Sequence, residues 1–364
     1  MPPTDSARRR ALQPAFDLAQ AQVDSGTVPF AILGVAGADG VVRLEAYGAP
    51  GGRRIGTDAV CQLASITKSI TAVGVLQLVE DGTITLEQPI NGWAPELVND
   101  AWAPVTAWHV LTHTTGIDEV DLESILRHRQ GRDDLLRHLR AKGQVAPPGS
   151  RFDYVSFTFD LLVEALARRT GEPYETGLRR RVLEPLGMAA TTFDPAAAGL
   201  DARVAPLLLA LPDGTFMDDP DLVAAYASLH LAGGGLWSSA EDLLRLGRAM
   251  LRGGELDGTR VLSPVFVDLM TREVTVPGTS RVAGLGSNED PLRADHYALG
   301  WGKPGVASLG TPAAFGHGGV SGTRLWIDPA YDLAYVYLSG AWGMSREPID
   351  VVEATIYAAL SSIA

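Results

Sequence analysis

The chain has 364 residues and a net charge of −13, from 43 acidic and 30 basic side chains, a balance that disfavours nucleic acid or an anionic membrane as the main partner because both need a basic face. A chain this long buries roughly three quarters of its unfolded surface, so a core is easily built. The single cysteine, Cys61, excludes an internal disulfide, and no stretch approaches the roughly 18 apolar residues of a membrane span.

The first ten residues, which include Arg8-Arg9-Arg10, are not followed by the apolar run of a secretory leader, so the expected location is the cytoplasm. Ala11, Phe16, Leu18 and Val23 predict a helix over 7–24. The β-rich runs 30–35 and 41–47, joined through Gly37-Ala38-Asp39-Gly40, read as a hairpin. Ile66, Ile70, Val73, Leu76 and Val79 predict a helix over 65–80, stopped by Asp81-Gly82. Further helices are expected at 107–112, 121–140, 156–170, 174–184 and 239–252, and strands at 297–302, 323–327 and 333–338. Asp328-Pro329-Ala330-Tyr331-Asp332 makes the last two a hairpin, and 346–362 reads as a closing amphipathic helix. The stretch 273–295 is the best candidate for a flap. Strands at both ends and helices between them predict a sheet assembled from both termini around a helical insertion.

Three segments carry residues suited to chemistry. In Ser65-Ile66-Thr67-Lys68 the first and last side chains lie one helical turn apart. A serine hydroxyl needs a nearby base to become a nucleophile, and lysine can serve only if its amine is neutral. Arginine cannot, because it stays protonated; of the 30 basic residues here only Lys68, Lys142 and Lys303 are lysine. The competing reading is a capping serine followed by a surface lysine. In Tyr154-Val155-Ser156 a phenol could relay a proton while Ser156 contacts substrate or lysine; the alternative is a core-packed tyrosine with Ser156 capping the next helix. In Phe315-Gly316-His317-Gly318-Gly319-Val320 glycines at a strand edge let a ligand approach the backbone, and an N–H there could join that of Ser65 in an oxyanion hole. The alternative is a glycine-rich turn with a structural histidine.

Together these segments resemble the serine β-lactamase and penicillin-binding superfamily, in the branch that holds class C β-lactamases, D-alanyl-D-alanine carboxypeptidases and family VIII carboxylesterases. Leu111-Thr112-His113-Thr114-Thr115-Gly116, Pro148-Gly149, Leu183-Glu184-Pro185-Leu186-Gly187, Gly233-Gly234-Gly235-Leu236-Trp237 and Leu299-Gly300-Trp301-Gly302 extend the likeness over about residues 25–345. The resemblance implies an α+β fold of the β-lactamase/transpeptidase type: an antiparallel sheet flanked by the N- and C-terminal helices, with an inserted mainly helical domain. That gives a single catalytic unit over 1–364, its α/β part at about 1–85 and 260–364 and its helical part at about 86–259. It also implies an acyl-enzyme on Ser65, proton handling by Lys68 and Tyr154, an oxyanion hole from the N–H groups of Ser65 and Val320, and substrate contacts from Ser156, His317, Gly318 and Gly319. No metal or organic cofactor is expected.

Two positions depart from the lactamase pattern. Ser156 stands where those enzymes have asparagine, and His317-Gly318-Gly319 where they have Lys-Thr-Gly. Without a fixed ammonium and a threonine hydroxyl, this wall suits an anionic β-lactam or peptidyl-D-alanine poorly and a neutral acyl ester better. A small-molecule ester is therefore the expected partner. A D-amino-acid peptide, amide or β-lactam substrate, an acyltransferase, and a binding protein with a relic site are the alternatives. His109 and His113 have a spacing that can bind metal on a helix, though the resemblance makes them structural. Asp118, Glu119, Asp121 and Glu123 read as a solvated acidic face. No Gly-x-Ser-x-Gly elbow is present.

Overall fold

The computed structural model describes residues 5–97, 99–274, 281–282, 296–305 and 308–362. Helices α1 (Asp5–Ala11) and α2 (Gln13–Asp24) precede the hairpin β1 (Ala31–Ala36) and β2 (Val41–Tyr47). The short strand β3 (Cys61–Gln62) leads into α3 (Ile66–Glu80). Then come α4 (Ala107–Leu111), α5 (Leu122–Arg127), α6 (Arg132–Ala141), β4 (Asp153–Tyr154), α7 (Thr158–Thr170) and α8 (Tyr174–Leu178). They are followed by β5 (Leu208–Ala210), β6 (Phe216–Asp218), α9 (Pro220–Ala227), β7 (Trp237–Ser238) and α10 (Ala240–Leu251). Strands β8 (Glu255–Leu256) and β9 (Thr259–Arg260), helix α11 (Pro264–Thr271) and strand β10 (Arg281–Val282) lead to the C-terminal strands. These are β11 (Phe315–Gly319), β12 (Thr323–Asp328), β13 (Leu333–Leu338) and β14 (Ala341–Trp342), with α12 (Glu347–Ser361) closing the chain.

The main sheet runs β11-β12-β13-β1-β2 and is antiparallel throughout, so strands from both termini pair as expected. β1, β12 and β13 are buried along their whole length because both faces are covered. The alternation of side chains sorts them: Leu33, Val35, Tyr335 and Tyr337 join Phe16 of α2 and Val352 and Ile356 of α12, while Ile32, Leu325, Val336 and Leu338 face the larger core with Leu243 and Leu244 of α10. The fold is thus α+β, as read from the sequence. The helical part expected over 86–259 is not uniform, however. α10 lies within it yet packs on the sheet, because its buried leucines share the core of β1, β12 and β13. No helix among the described residues is long and apolar enough to cross a membrane.

The sequence-based elements need four corrections. The helix expected over 7–24 breaks at Leu12, where Pro14 in the first turn of α2 has no N–H to continue the ladder. The helix expected over 121–140 is two, α5 and α6, separated where Arg129 adopts φ +51°. The helix expected over 174–184 is α8 followed by a wider π-type turn over Arg179–Leu183. Tyr297–Gly302 forms only isolated bridges, Tyr297 to Gly302 and Gly302 to Gly316, around Gly300 at φ +76°. Most of the flap candidate, 275–280 and 283–295, lies outside the described residues.

Candidate active site

Ser65 stands at the entrance of α3, directly after a strained residue. Ala64 adopts φ +46°, a left-handed conformation that costs an L-residue about 1 kcal/mol. Gln62 secures it: its Oε1 accepts the Ala64 N–H at 2.7 Å while its Nε2 donates to the Gly234 carbonyl at 2.6 Å. The Ser65 side chain makes no capping hydrogen bond to the helix. Its Oγ lies 3.0 Å from Lys68 Nζ instead. Lys68 is fully buried, with Nζ also 2.7 Å from the Gly233 carbonyl and 3.4 Å from Ser156 Oγ. The Tyr154 ring centroid is 4.9 Å from that nitrogen and the Phe159 centroid 5.9 Å. A capping serine with a solvated lysine is therefore not what the chain builds. Gly233 is needed at its place, since a Cβ there would come 2.5 Å from the Ser156 carbonyl oxygen.

The Tyr154–Ser156 segment is held by two side chains that the sequence did not single out for this task. The His113 carbonyl accepts the Asp153 N–H at 2.8 Å, and His113 Nδ1 accepts the Val155 N–H at 3.2 Å, so one residue brackets Tyr154. The imidazole also packs on the phenol ring, with centroids 4.3 Å apart. Burial above all, with the nearby Lys68 charge, pushes His113 well below the ordinary histidine range. Its Nε2 is buried without a hydrogen-bond partner among the described residues, amid the rings of Phe152, Phe159 and Tyr297. On the other side, Glu119 corrects the reading of a solvated acidic face. Its Oε2 accepts the Ser156 N–H and its Oε1 accepts the Val120 N–H at 3.0 Å. Burial pushes this carboxyl up to about 7, opposed by those N–H groups and by Lys68. Its neighbour Asp118 is exposed, and Asp121 caps α5 by accepting the Ser124 N–H. Ser156 does not cap α7. The Tyr154 hydroxyl makes no hydrogen bond to any described residue.

The glycine-rich segment is the edge strand β11, paired on one side with β12. Its end abuts the turn before Ser65: a Cβ on Gly319 would lie 2.2 Å from the Leu63 carbonyl oxygen and 3.1 Å from the Ala64 Cβ. This brings Val320 toward Ser65, and neither backbone N–H donates to a protein acceptor among the described residues. His317 Nδ1 lies 2.7 Å from the Gly318 carbonyl and Nε2 lies 2.9 Å from the Tyr297 hydroxyl. An Nδ1–H donor with Nε2 accepting from the phenol satisfies both contacts. Burial and the nearby Lys68 charge push His317 down to about 3, so the imidazole is neutral at ordinary pH. Both ring nitrogens are thus engaged by the protein. His109 and His113 do not pair as ligands: His109 Nδ1 meets the Thr106 hydroxyl at 3.0 Å and His113 Nδ1 meets Val155. No group of three or more His, Cys, Asp or Glu among the described residues is placed to hold a metal.

The family model described as Beta-lactamase matches residues 16–355. An uncharacterized protein of Mycobacterium tuberculosis is 31% identical over 321 residues, 77% of this chain and 77% of that protein. Esterase EstB of Burkholderia gladioli is 27% identical over 356 residues, 84% of each chain. Other relatives carry the names of a carboxypeptidase and an acyltransferase. Among solved structures, a family VIII carboxylesterase superposes with a TM-score of 0.79 at 22% identity, covering 97% of this chain and 98% of that one.

Proposed function

The chain belongs to the beta-lactamase family of serine hydrolases, and from that premise we propose that it is a carboxylesterase cleaving small neutral acyl esters through an acyl-enzyme on Ser65. The observation that carries the reading is the 3.0 Å approach of a fully buried lysine amine to the serine hydroxyl. To act as the base, Lys68 must first give up its extra proton; the neutral amine then has two N–H groups and one lone pair. The Gly233 carbonyl and Ser156 Oγ take the two N–H groups, which leaves the lone pair for the Ser65 proton. Ser65 Oγ attacks the ester carbonyl as Lys68 accepts that proton. The N–H groups of Ser65 and Val320 receive the developing oxyanion. As the tetrahedral adduct collapses, the proton passes to the leaving alcohol, with the unpartnered Tyr154 phenol beside its path. Water then attacks the acyl carbonyl and the same groups act in reverse.

The ester preference is supported by the β11 wall. There a neutral His317 with both nitrogens occupied, and two glycines beyond it, offer neither charge nor hydroxyl to a substrate carboxylate. EstB is named an esterase, which agrees with this choice. Turnover of p-nitrophenyl acetate and butyrate by the wild type and by Ser65→Ala tests the proposal: the variant is expected to lose activity by a factor of about 10³ or more. Equal rates would remove Ser65 as nucleophile, and nitrocefin turnover far above ester turnover would replace the substrate class. Product analysis with added alcohol or amine acceptors separates a hydrolase from an acyltransferase.

A further inference from the structure

Glu119 is a carboxylate whose two oxygens are both taken by backbone N–H groups, one its own neighbour's and one from the segment that carries Tyr154 and Ser156. It belongs to none of the segments that carry the family likeness, and the acyl-transfer steps above do not use it. Its position is nonetheless inside the machinery. The Ser156 N–H that it accepts lies one peptide from Val155, whose N–H is held by His113, and the Ser156 hydroxyl is 3.4 Å from Lys68 Nζ. Phe157 N–H and the Lys68 charge also act on it.

We infer that Glu119 is a positioning residue whose ionised carboxylate clamps the Tyr154–Ser156 segment against the Lys68 amine. The inference rests on the acyl-enzyme reading of Ser65 and Lys68. Charge-assisted hydrogen bonds to a carboxylate are roughly twice as strong as those to a neutral acceptor. Each oxygen of Glu119 already faces an N–H, so a proton added to either one competes with a donor in place. Protonation therefore loosens the grip on Ser156, and with it the placement of the Ser156 hydroxyl and the Tyr154 ring beside Lys68.

The charged groups facing Glu119 are Lys68 from α3 and, on its own loop, the exposed Asp118, which pairs with Lys142 at 3.9 Å. Because burial holds the Glu119 proton to about 7, the clamp engages near neutral pH and not far below it. A carboxylate left in water would already be ionised there and would impose no such dependence.

The test is the rate of covalent labelling of Ser65 by a fluorophosphonate between pH 5.5 and 9, on the full chain, for the wild type, Glu119→Gln, Glu119→Asp and Asp118→Asn. The wild-type rate is expected to fall about tenfold from pH 8 to 5.5, with a midpoint near 7. Glu119→Gln is expected to react at the slow, acidic wild-type rate at every pH and to show no midpoint near 7. Glu119→Asp keeps the charge but is one methylene shorter and is expected to be slow at pH 8 as well, while Asp118→Asn keeps the wild-type profile. A Glu119→Gln or Glu119→Asp protein that labels at the wild-type rate at pH 8, or a Glu119→Gln protein that retains the wild-type midpoint, would overturn the inference. Absence of labelling in the wild type would instead remove the acyl-enzyme reading, and the inference with it.

Discussion

The Gly233 carbonyl lies 2.7 Å from Lys68 Nζ, closer than Ser65 Oγ at 3.0 Å, the atom whose proton that amine takes in the proposed mechanism. A backbone atom thus aims the base. The turn that carries this carbonyl is held by an ion pair between buried Asp160 and half-buried Arg132: Asp160 accepts the Ala232 N–H at 2.9 Å and the Arg132 guanidinium at 2.7 Å, and Arg132 also donates to the Leu229 and His230 carbonyls.

Gly233→Ala is expected to reduce acylation about 100-fold with little change in secondary structure. The added Cβ would sit 2.5 Å from the Ser156 carbonyl oxygen and 3.5 Å from Lys68 Nζ, so the turn must move away from the amine. Stopped-flow acylation with p-nitrophenyl acetate and circular dichroism check the two halves. An unchanged acylation rate would show that the carbonyl does not aim Lys68.

Tyr154→Phe is expected to leave thermal stability within about 0.5 kcal/mol of the wild type, because the hydroxyl has no partner among the described residues to lose. Ester turnover is expected to fall by a factor of 10² to 10⁴, roughly the contribution of a positioned acid or base. The ring remains to pack on His113 and Lys68, which separates the phenol's chemistry from its packing. Differential scanning calorimetry and steady-state kinetics on one preparation give both numbers.

Acid stability carries two opposing signatures. His317 is pushed down to about 3 from an ordinary 6.5, so below pH 6.5 the unfolded chain binds its proton first and stability is lost as pH falls. At pH 5 this one group costs about 2 kcal/mol relative to pH 8, at 1.4 kcal/mol per pH unit below 6.5. His113 acts in the same direction. Glu119 acts the other way: its proton is held more tightly in the folded protein, so between about 7 and its ordinary 4.5 stability rises as pH falls. Urea unfolding at pH 5 and 8 is therefore expected to show a smaller acid loss in His317→Gln than in the wild type, and a larger one in Glu119→Gln.

Much of the site was legible because its residues lie close together along the chain. Ser65 and Lys68 are one helical turn apart on one predicted helix. The order of strands and helices along the chain pointed to the sheet built from both ends. Glu119 was illegible: within Asp118, Glu119, Asp121 and Glu123 nothing in the residue types separates the one acid that turns inward. His113 was quoted within a motif, yet its grip on both flanks of Tyr154 depends on a fold that brings residues 113 and 155 together. The strand expected at 297–302 failed because Gly300 turns the chain there, and Tyr297 then reaches His317.

The order of strands and helices by itself pointed to the fold class, and the resemblance carried by short segments picked out Ser65 with Lys68 as the candidate pair and the absence of an ammonium and a threonine at 317 and 318, because each is a matter of which side chains exist and how far apart they sit along the chain. Tertiary structure alone decided which carbonyl aims Lys68, which carboxylate clamps Ser156, and that His317 is neutral with both nitrogens occupied. Those properties arise from desolvation and from contacts between distant segments, and a buried group's charge and partners do not exist until the chain has closed around it.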